Sequence, residues 1–240
     1  MNKSIVIIPT FNEIDNIAAL LTAVMNLKDR LDVLVVDDNS PDGTSDKVLE
    51  FTEQFSERIF LLKRAKKNGL GTAYVAGFDW ALKRNYEYIF EMDADFSHNP
   101  KDLPLLLKTC QSGAAVAIGS RYVKGVNVVN WPLSRVLLSY FASVYVRFIT
   151  GMQIMDTTAG FVCYHRSVLE KIGLDKIKFV GYAFQIEMKY RAYSKGFKLV
   201  EIPIIFTDRT KGKSKMSGGI IKEAVFGVLQ LRFKKIFNQL

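Results

Sequence analysis

Residues 32–44 read Asp32-Val33-Leu34-Val35-Val36-Asp37-Asp38-Asn39-Ser40-Pro41-Asp42-Gly43-Thr44. The apolar run is β-branched and too short for a buried helix, which suits a strand covered on both faces. It breaks into Asp, Asn, Ser, Pro and Gly, the residues of turns and helix caps. A helical pattern then follows over 44–55.

The same unit recurs on either side. Strand-like runs lie at 4–8, 32–37, 59–63, 88–93 and 114–119, with helical patterns at 13–27, 44–55, 71–84 and 101–111 between them. Strands alternating with helices predict an α/β fold whose central sheet is mostly parallel, with helices on both faces. Ligands of such sheets bind beyond the carboxyl ends of the strands. Those ends carry Pro9-Thr10-Phe11-Asn12-Glu13, the Asp37–Thr44 segment, Asp93-Ala94-Asp95 and Gly119-Ser120-Arg121-Tyr122. Turn chemistry explains any one of them. It does not explain carboxylates two residues apart, since a helix cap needs only one.

Asp93 and Asp95, at i and i+2 where a strand gives way to a loop, are placed to converge on one hard divalent cation such as Mg²⁺. No GxGxxG follows the first strand, so a dinucleotide site loses its main support. Asn68-Gly69-Leu70-Gly71-Thr72 lacks the GK[ST] ending of a phosphate-binding loop.

Composition narrows the class. The chain has 240 residues, 49% hydrophobic and 24% charged, close to an ordinary globular average. Thirty-three Lys and Arg against 24 Asp and Glu give a net charge of +9, which favours an anionic partner. Nucleic acid is set aside as that partner, because charge alone would leave the paired carboxylates unexplained. Cys110 and Cys163 lie in apolar sequence without CxxC spacing and read as buried thiols of a reducing compartment. No apolar run of spanning length or signal peptide is seen, so the expected location is the cytoplasmic side.

The second half changes character. Over Leu133–Thr150, Leu133, Val136, Leu137, Tyr140, Phe141, Val144 and Phe148 follow helical spacing, with Arg135, Ser139, Ser143 and Arg147 elsewhere on the helix. Such a helix packs into a core or lies in a membrane interface. A strand pair at 159–164 and 197–206 is expected to flank a helix at Tyr182–Ser194. A basic loop at 207–215 leads to a last helix at 218–237, which joins apolar residues to Arg232, Lys234 and Lys235. Residues 207–240 hold eight Lys or Arg and two Asp or Glu, so most of the excess charge sits there. Two units are expected: a main domain over 1–216, and a basic amphipathic helix over 217–240 suited to an anionic bilayer surface.

In order along the chain, PTFNE, VVDDNSPDGT, KNGLGTAY, MDADFSHNP, GSRY, the WPLSR helix, GYAFQIEM and FTDRTKGKSKM resemble family 2 glycosyltransferases of the GT-A fold. They resemble in particular the dolichyl/polyprenyl-phosphate mannose synthases, as a catalytic subunit without transmembrane helices. Within Asp208–Lys215, Gly212 and Ser214 match the family's DRxxGxSK pattern. Phe11 departs from it, standing where the family usually has Tyr.

The resemblance implies a GDP-mannose pocket from Pro9, Phe11, Glu13, Val35 and Asp37. It implies Mg²⁺ or Mn²⁺ on Asp93 and Asp95 with Ala94 beside them, and donor diphosphate near Arg121, Arg209 and Lys215. Arg121, Arg135 and Ser139 would hold the phosphate of a polyprenyl phosphate acceptor, Arg135 and Ser139 sharing a helix face at i, i+4. Asp95, Arg121 and Arg209 are the residues expected to bear on catalysis. The implied reaction is inverting, metal-dependent mannosyl transfer by a peripheral membrane enzyme, either self-anchored or held by a partner subunit. Alternatives are a polyprenyl-phosphate glycosyltransferase using UDP-glucose or another sugar nucleotide, or a non-catalytic membrane or nucleic-acid binding protein.

Overall fold

The structure is a computed structural model that describes residues 3–209 and 219–237. Strands β1 (Ser4–Thr10), β2 (Asp32–Asp37), β3 (Ile59–Lys63) and β4 (Tyr88–Glu91) alternate with α1 (Ile14–Met25), α2 (Thr44–Gln54) and α3 (Leu70–Leu82). Then come α4 (Leu103–Gln111), β5 (Val116–Ser120), β6 (Val128–Val129), α5 (Leu133–Thr150), β7 (Val162–His165) and α6 (Arg166–Lys171). The chain continues through α7 (Tyr182–Ser194), β8 (Leu199–Pro203), β9 (Phe206–Thr207) and α8 (Gly219–Ile236).

Seven strands form one sheet in the order β3-β2-β1-β4-β7-β5-β8. All neighbours are parallel except β7, which runs antiparallel between β4 and β5. The result is the expected mixed α/β fold. Side-chain alternation splits the sheet into two apolar layers. Val6, Ile8, Val33 and Val35 face α1 and α4, while Ile5, Ile7, Leu34 and Val36 face α3 and α7. Cys110 and Cys163 are buried free thiols, as the apolar sequence around them implies.

Gly77 sets the distance between α3 and β1. A Cβ there would lie 2.6 Å from Ile7 Cγ2, inside the packed layer. Gly77→Ala is therefore expected to destabilise the fold by about 1–3 kcal/mol, the usual range for overpacking. Urea unfolding of the two proteins measures it.

Two local expectations are corrected. The runs at 159–164 and 197–206 do not pair with each other; each pairs with β5. The second run also divides at Pro203, which has no N–H to continue a ladder, and its end pairs as β9 with β6. Helix α8 packs on α7 and α5 through Val228 and Leu231, both 1% exposed, leaving Phe226 and Phe233 outward. The unit boundary expected at 216/217 lies outside the described residues.

Candidate active site

Because β1, β2 and β4 are parallel neighbours, their carboxyl ends open at one edge of the sheet. Three clusters gather there.

The first is built on Asp37, which has no exposed surface. Its Oδ1 accepts the Thr10 hydroxyl at 2.7 Å and the Ser40 hydroxyl at 2.6 Å. Its Oδ2 accepts the Ser40 N–H at 2.9 Å and the Ser45 hydroxyl at 2.8 Å. Asp37 thus ties β1, the following loop and α2 together. Asp42 does similar work, accepting from Thr44 and from the Ile14 N–H; these bonds outweigh burial and hold its carboxyl below the usual range. Asp42 is accounted for by turn chemistry alone. Asp37→Ala should cost about 2–4 kcal/mol, since buried hydroxyls and an N–H lose their acceptor; chemical denaturation reads the loss.

The neighbouring Asp38, itself buried, meets Arg64 Nη1 at 3.2 Å, and burial pushes its carboxyl up. Pro9, Phe11 and Glu13 line the same edge half-buried. Lys67 Nζ stands 4.5 Å from the centre of the Phe11 ring. Val35 is fully enclosed in the core, so its side chain does not reach the edge.

The second cluster is the carboxylate pair. Asp93 Oδ1 accepts the Tyr74 hydroxyl at 3.3 Å, and its N–H donates to His98 Nδ1 at 3.2 Å. Removal from water and the nearby Asp95 charge push Asp93 up to about 7. Asp95 accepts the Ser97 N–H at 3.1 Å and meets Arg209 Nη2 at 3.0 Å. Burial opposes its charge, yet Ser97 and Arg209 hold its carboxyl below the usual range. Ala94 is buried between the two, and Phe96 adopts φ 60° immediately after them. A bulky residue in the left-handed region marks a constrained turn. His98 stacks on Phe161 with ring centres 4.9 Å apart, and burial lowers it to about 4. It is therefore a neutral support for the Asp93 backbone.

The third cluster is cationic. Arg121 donates to Asp156 from its own N–H at 2.9 Å, from Nε at 2.7 Å and from Nη2 at 2.6 Å. Asp156 has no exposed surface. Its segment is fixed by Glu201, which accepts the Met155 and Asp156 N–H groups at 2.6 and 2.8 Å. Arg135 reaches Asp208 at 2.9 Å. Both guanidinium groups approach the Trp131 ring, at 5.5 and 4.1 Å. Ser139 lies beside the Tyr122 hydroxyl on the same flank. Lys215 lies outside the described residues.

The structure thus brings Phe11, Glu13, Asp93, Asp95 and Arg209 to the sheet edge, with Arg121, Arg135 and Ser139 on its β5–α5 flank. Sequence reasoning missed Asp156, Glu201, Trp131, His98 and the buried trio Glu91, Gln185 and Lys189. In that trio Gln185 Nε2 donates to Glu91 at 2.6 Å, and Lys189 Nζ donates to the Ala159 carbonyl at 2.6 Å. Burial pushes Glu91 up and Lys189 down. The only signal in the sequence was the polar break Asp156-Thr157-Thr158 between two apolar stretches.

The glycosyl transferase family 2 model matches residues 5–173. A polyprenol monophosphomannose synthase of Mycolicibacterium smegmatis is 48% identical over 228 residues, spanning 95% of this chain and 86% of that protein. An undecaprenyl-phosphate mannosyltransferase of Micrococcus luteus is 45% identical over 226 residues, 94% of this chain and 92% of that protein. Among solved structures, a mannosyltransferase of Pyrobaculum calidifontis in complex with GDP-mannose and Mn²⁺ aligns with a TM-score of 0.62. It is 18% identical and covers 98% of this chain and 64% of that one, so it speaks for the fold alone. With a match over well over half its length and relatives this similar, the chain belongs to glycosyl transferase family 2 and is a glycosyltransferase.

Proposed function

We propose that this enzyme transfers mannose from GDP-mannose to a polyprenyl phosphate, with inversion and with a divalent metal, while held peripherally on the cytoplasmic face of a membrane. The names borne by its relatives support the acceptor class. The observation that carries the reading is the orientation of α5, the helix that bears Arg135. Ser143 is 1% exposed, whereas Phe148 is 86% and Phe141 60% exposed. A helix with its serine inward and its phenylalanines outward is inverted for water and suited to lipid. Its amino end meanwhile presents Arg135 and Trp131 beside Arg121, chemistry for an anionic headgroup.

Asp93 and Asp95 fit Mg²⁺ or Mn²⁺. Both offer oxygen ligands, and the upward push on Asp93 comes first from burial and then from the Asp95 charge, both of which a cation would counter. Among the described residues no group of three or more His, Cys, Asp or Glu gathers to hold a metal, so donor diphosphate oxygens and water would complete the set. When bound, the cation supplies charge neutralisation to the departing diphosphate.

This chain's residues do the rest. Phe11 offers a stacking face for the guanine, and Glu13 lines the donor pocket. Arg209, already beside Asp95, adds positive charge where the leaving oxygen becomes negative. Arg121 and Arg135 hold the acceptor phosphate with Ser139. That phosphate, with a second pKa of about 6, is largely dianionic at neutral pH, so no side chain needs to remove a proton from it. One displacement from an α-linked donor gives a β-linked product.

The test is incubation with polyprenyl phosphate, a divalent cation and labelled sugar nucleotides, counting label in the lipid phase. GDP-mannose should label the lipid and release GDP; release of UDP from a UDP-sugar instead would overturn the donor assignment.

Membrane association has its own test. Phe141→Ser with Phe148→Ser should weaken co-sedimentation with phosphatidylglycerol vesicles at least about tenfold, since a buried Phe is worth roughly 1.5–3 kcal/mol. Salt should weaken it further through Arg232 and Lys234. Wild-type protein left in the supernatant at low salt would shift the anchoring role to a partner subunit.

A further inference from the structure

Asp156 and Asp208 each pair with an arginine of the acceptor flank, but in different settings. Asp156 is sealed in the interior and bound to Arg121 through backbone and side chain. Asp208 places both carboxylate oxygens on Arg135 Nη1, at 3.0 and 2.9 Å, and the two side chains keep 26% and 27% of their surface exposed. Arg135 lies over the Trp131 ring, its guanidinium carbon 4.1 Å from the ring centre. Asp208 also accepts the Arg209 N–H at 3.0 Å, and its own N–H donates to the Val129 carbonyl at 3.0 Å. Its carboxylate is thus aimed from a fixed backbone at an accessible guanidinium. The next residue, Arg209, places the opposite charge on Asp95.

We infer that Asp208 is a positioning residue that holds the acceptor-phosphate subsite as an internal competitor, yielding Arg135 to the incoming phosphate and reclaiming it as product leaves. The inference rests on the proposed acceptor reading. A carboxylate carries one charge, and a phosphate monoester carries about 1.5–2 with oxygens that match the guanidinium fork. The incoming acceptor therefore wins the exchange. Transfer converts the monoester to a phosphodiester with a single charge, so the product holds Arg135 less firmly than the acceptor did. Asp208 weakens both by the same factor, because either must displace it. The benefit lies in release, which often limits turnover. Until displaced, Asp208 keeps Arg135 stacked and oriented.

The consequence is a gain of affinity on removing a charge. Asp208→Asn should bind farnesyl monophosphate about fivefold tighter by calorimetry, the scale of one part-exposed ion pair. In transfer assays its KM for polyprenyl phosphate should fall by a similar factor while kcat also falls, with product inhibition strengthened. Arg135→Ala should do the reverse to binding, and Asp208→Glu should restore wild-type behaviour. A structural role for Asp208 would instead raise KM in Asp208→Asn and lower its melting temperature. Farnesyl phosphate affinity that is unchanged or weaker in Asp208→Asn overturns the inference. Failure of the wild-type enzyme to label polyprenyl phosphate would overturn the proposed acceptor, whereas the calorimetric comparison would still decide the exchange at Arg135.

Discussion

Asp95→Ala is expected to lower transfer at least about a thousandfold while leaving the melting temperature nearly unchanged. The activity term is large because, in the proposed reading, the two carboxylates are the oxygen ligands that the sheet edge would offer a cation. Removing a single fixed stabiliser of transition-state charge already costs about 10²–10³ in turnover, and losing the cation adds to that. The stability term is the smaller one: Asp95 is buried, and its loss leaves the Ser97 N–H without an acceptor and Arg209 without its ion pair. Against that, it removes the Asp95 charge, which adds to burial in pushing Asp93 upward. The measurement is single-turnover transfer at saturating donor alongside thermal unfolding. Wild-type turnover by Asp95→Ala in the presence of chelator would refute the metal role; a collapsed melting transition would make Asp95 structural instead.

The strands and the carboxylate pair were legible because their signals are local. An apolar β-branched run such as Val33–Val36 has one way to hide both faces, and a strand that ends in Asp93-Ala94-Asp95 declares its edge. The spans of α5 and α7 were legible too, that of α5 through its helical spacing. The direction in which α5 faces was not. Periodicity shows that a helix has an apolar side without showing what medium lies against it, and only burial of Ser143 against exposure of Phe148 answers that. Asp37 and Asp38 read alike as letters, yet Asp37 closes β2 and Asp38 opens the loop after it. One was consumed by Thr10, Ser40 and Ser45 while its neighbour met Arg64. The partners of the site arginines were illegible for a different reason: Arg121 and Asp156 are 35 positions apart, and Arg135 and Asp208 are 73. The insertion of β7 between β4 and β5 sets the first of these meetings, and the β6–β9 pairing sets the second.

The Arg121–Asp156 pair carries the other large expected effect, this time on stability. Asp156 is wholly buried and Arg121 nearly so, and every contact between them is charge-assisted. Asp156→Ala leaves a largely buried guanidinium without its carboxylate, and a backbone N–H that has lost its acceptor. Breaking a buried pair from one side typically costs 3–5 kcal/mol, so about that loss is expected in urea unfolding. Arg121→Ala strands the carboxylate in the same way. The double change removes both charges and should cost clearly less than the two single changes added together, because neither charge is then left alone. A cycle of the three variants measures that coupling. Simple additivity would mean that Asp156 is supported equally well by Thr158 and Lys189 and that Arg121 is held by its surroundings. Strong coupling would identify the pair as one unit, with Glu201 holding the segment that carries the acid and β5 presenting the base. On that account Asp156→Asn, which keeps shape and acceptor but drops the charge, should fall between wild type and Asp156→Ala in stability. It should raise the KM for polyprenyl phosphate more than that for GDP-mannose, because Arg121 would keep its place and lose its firmness on the acceptor side.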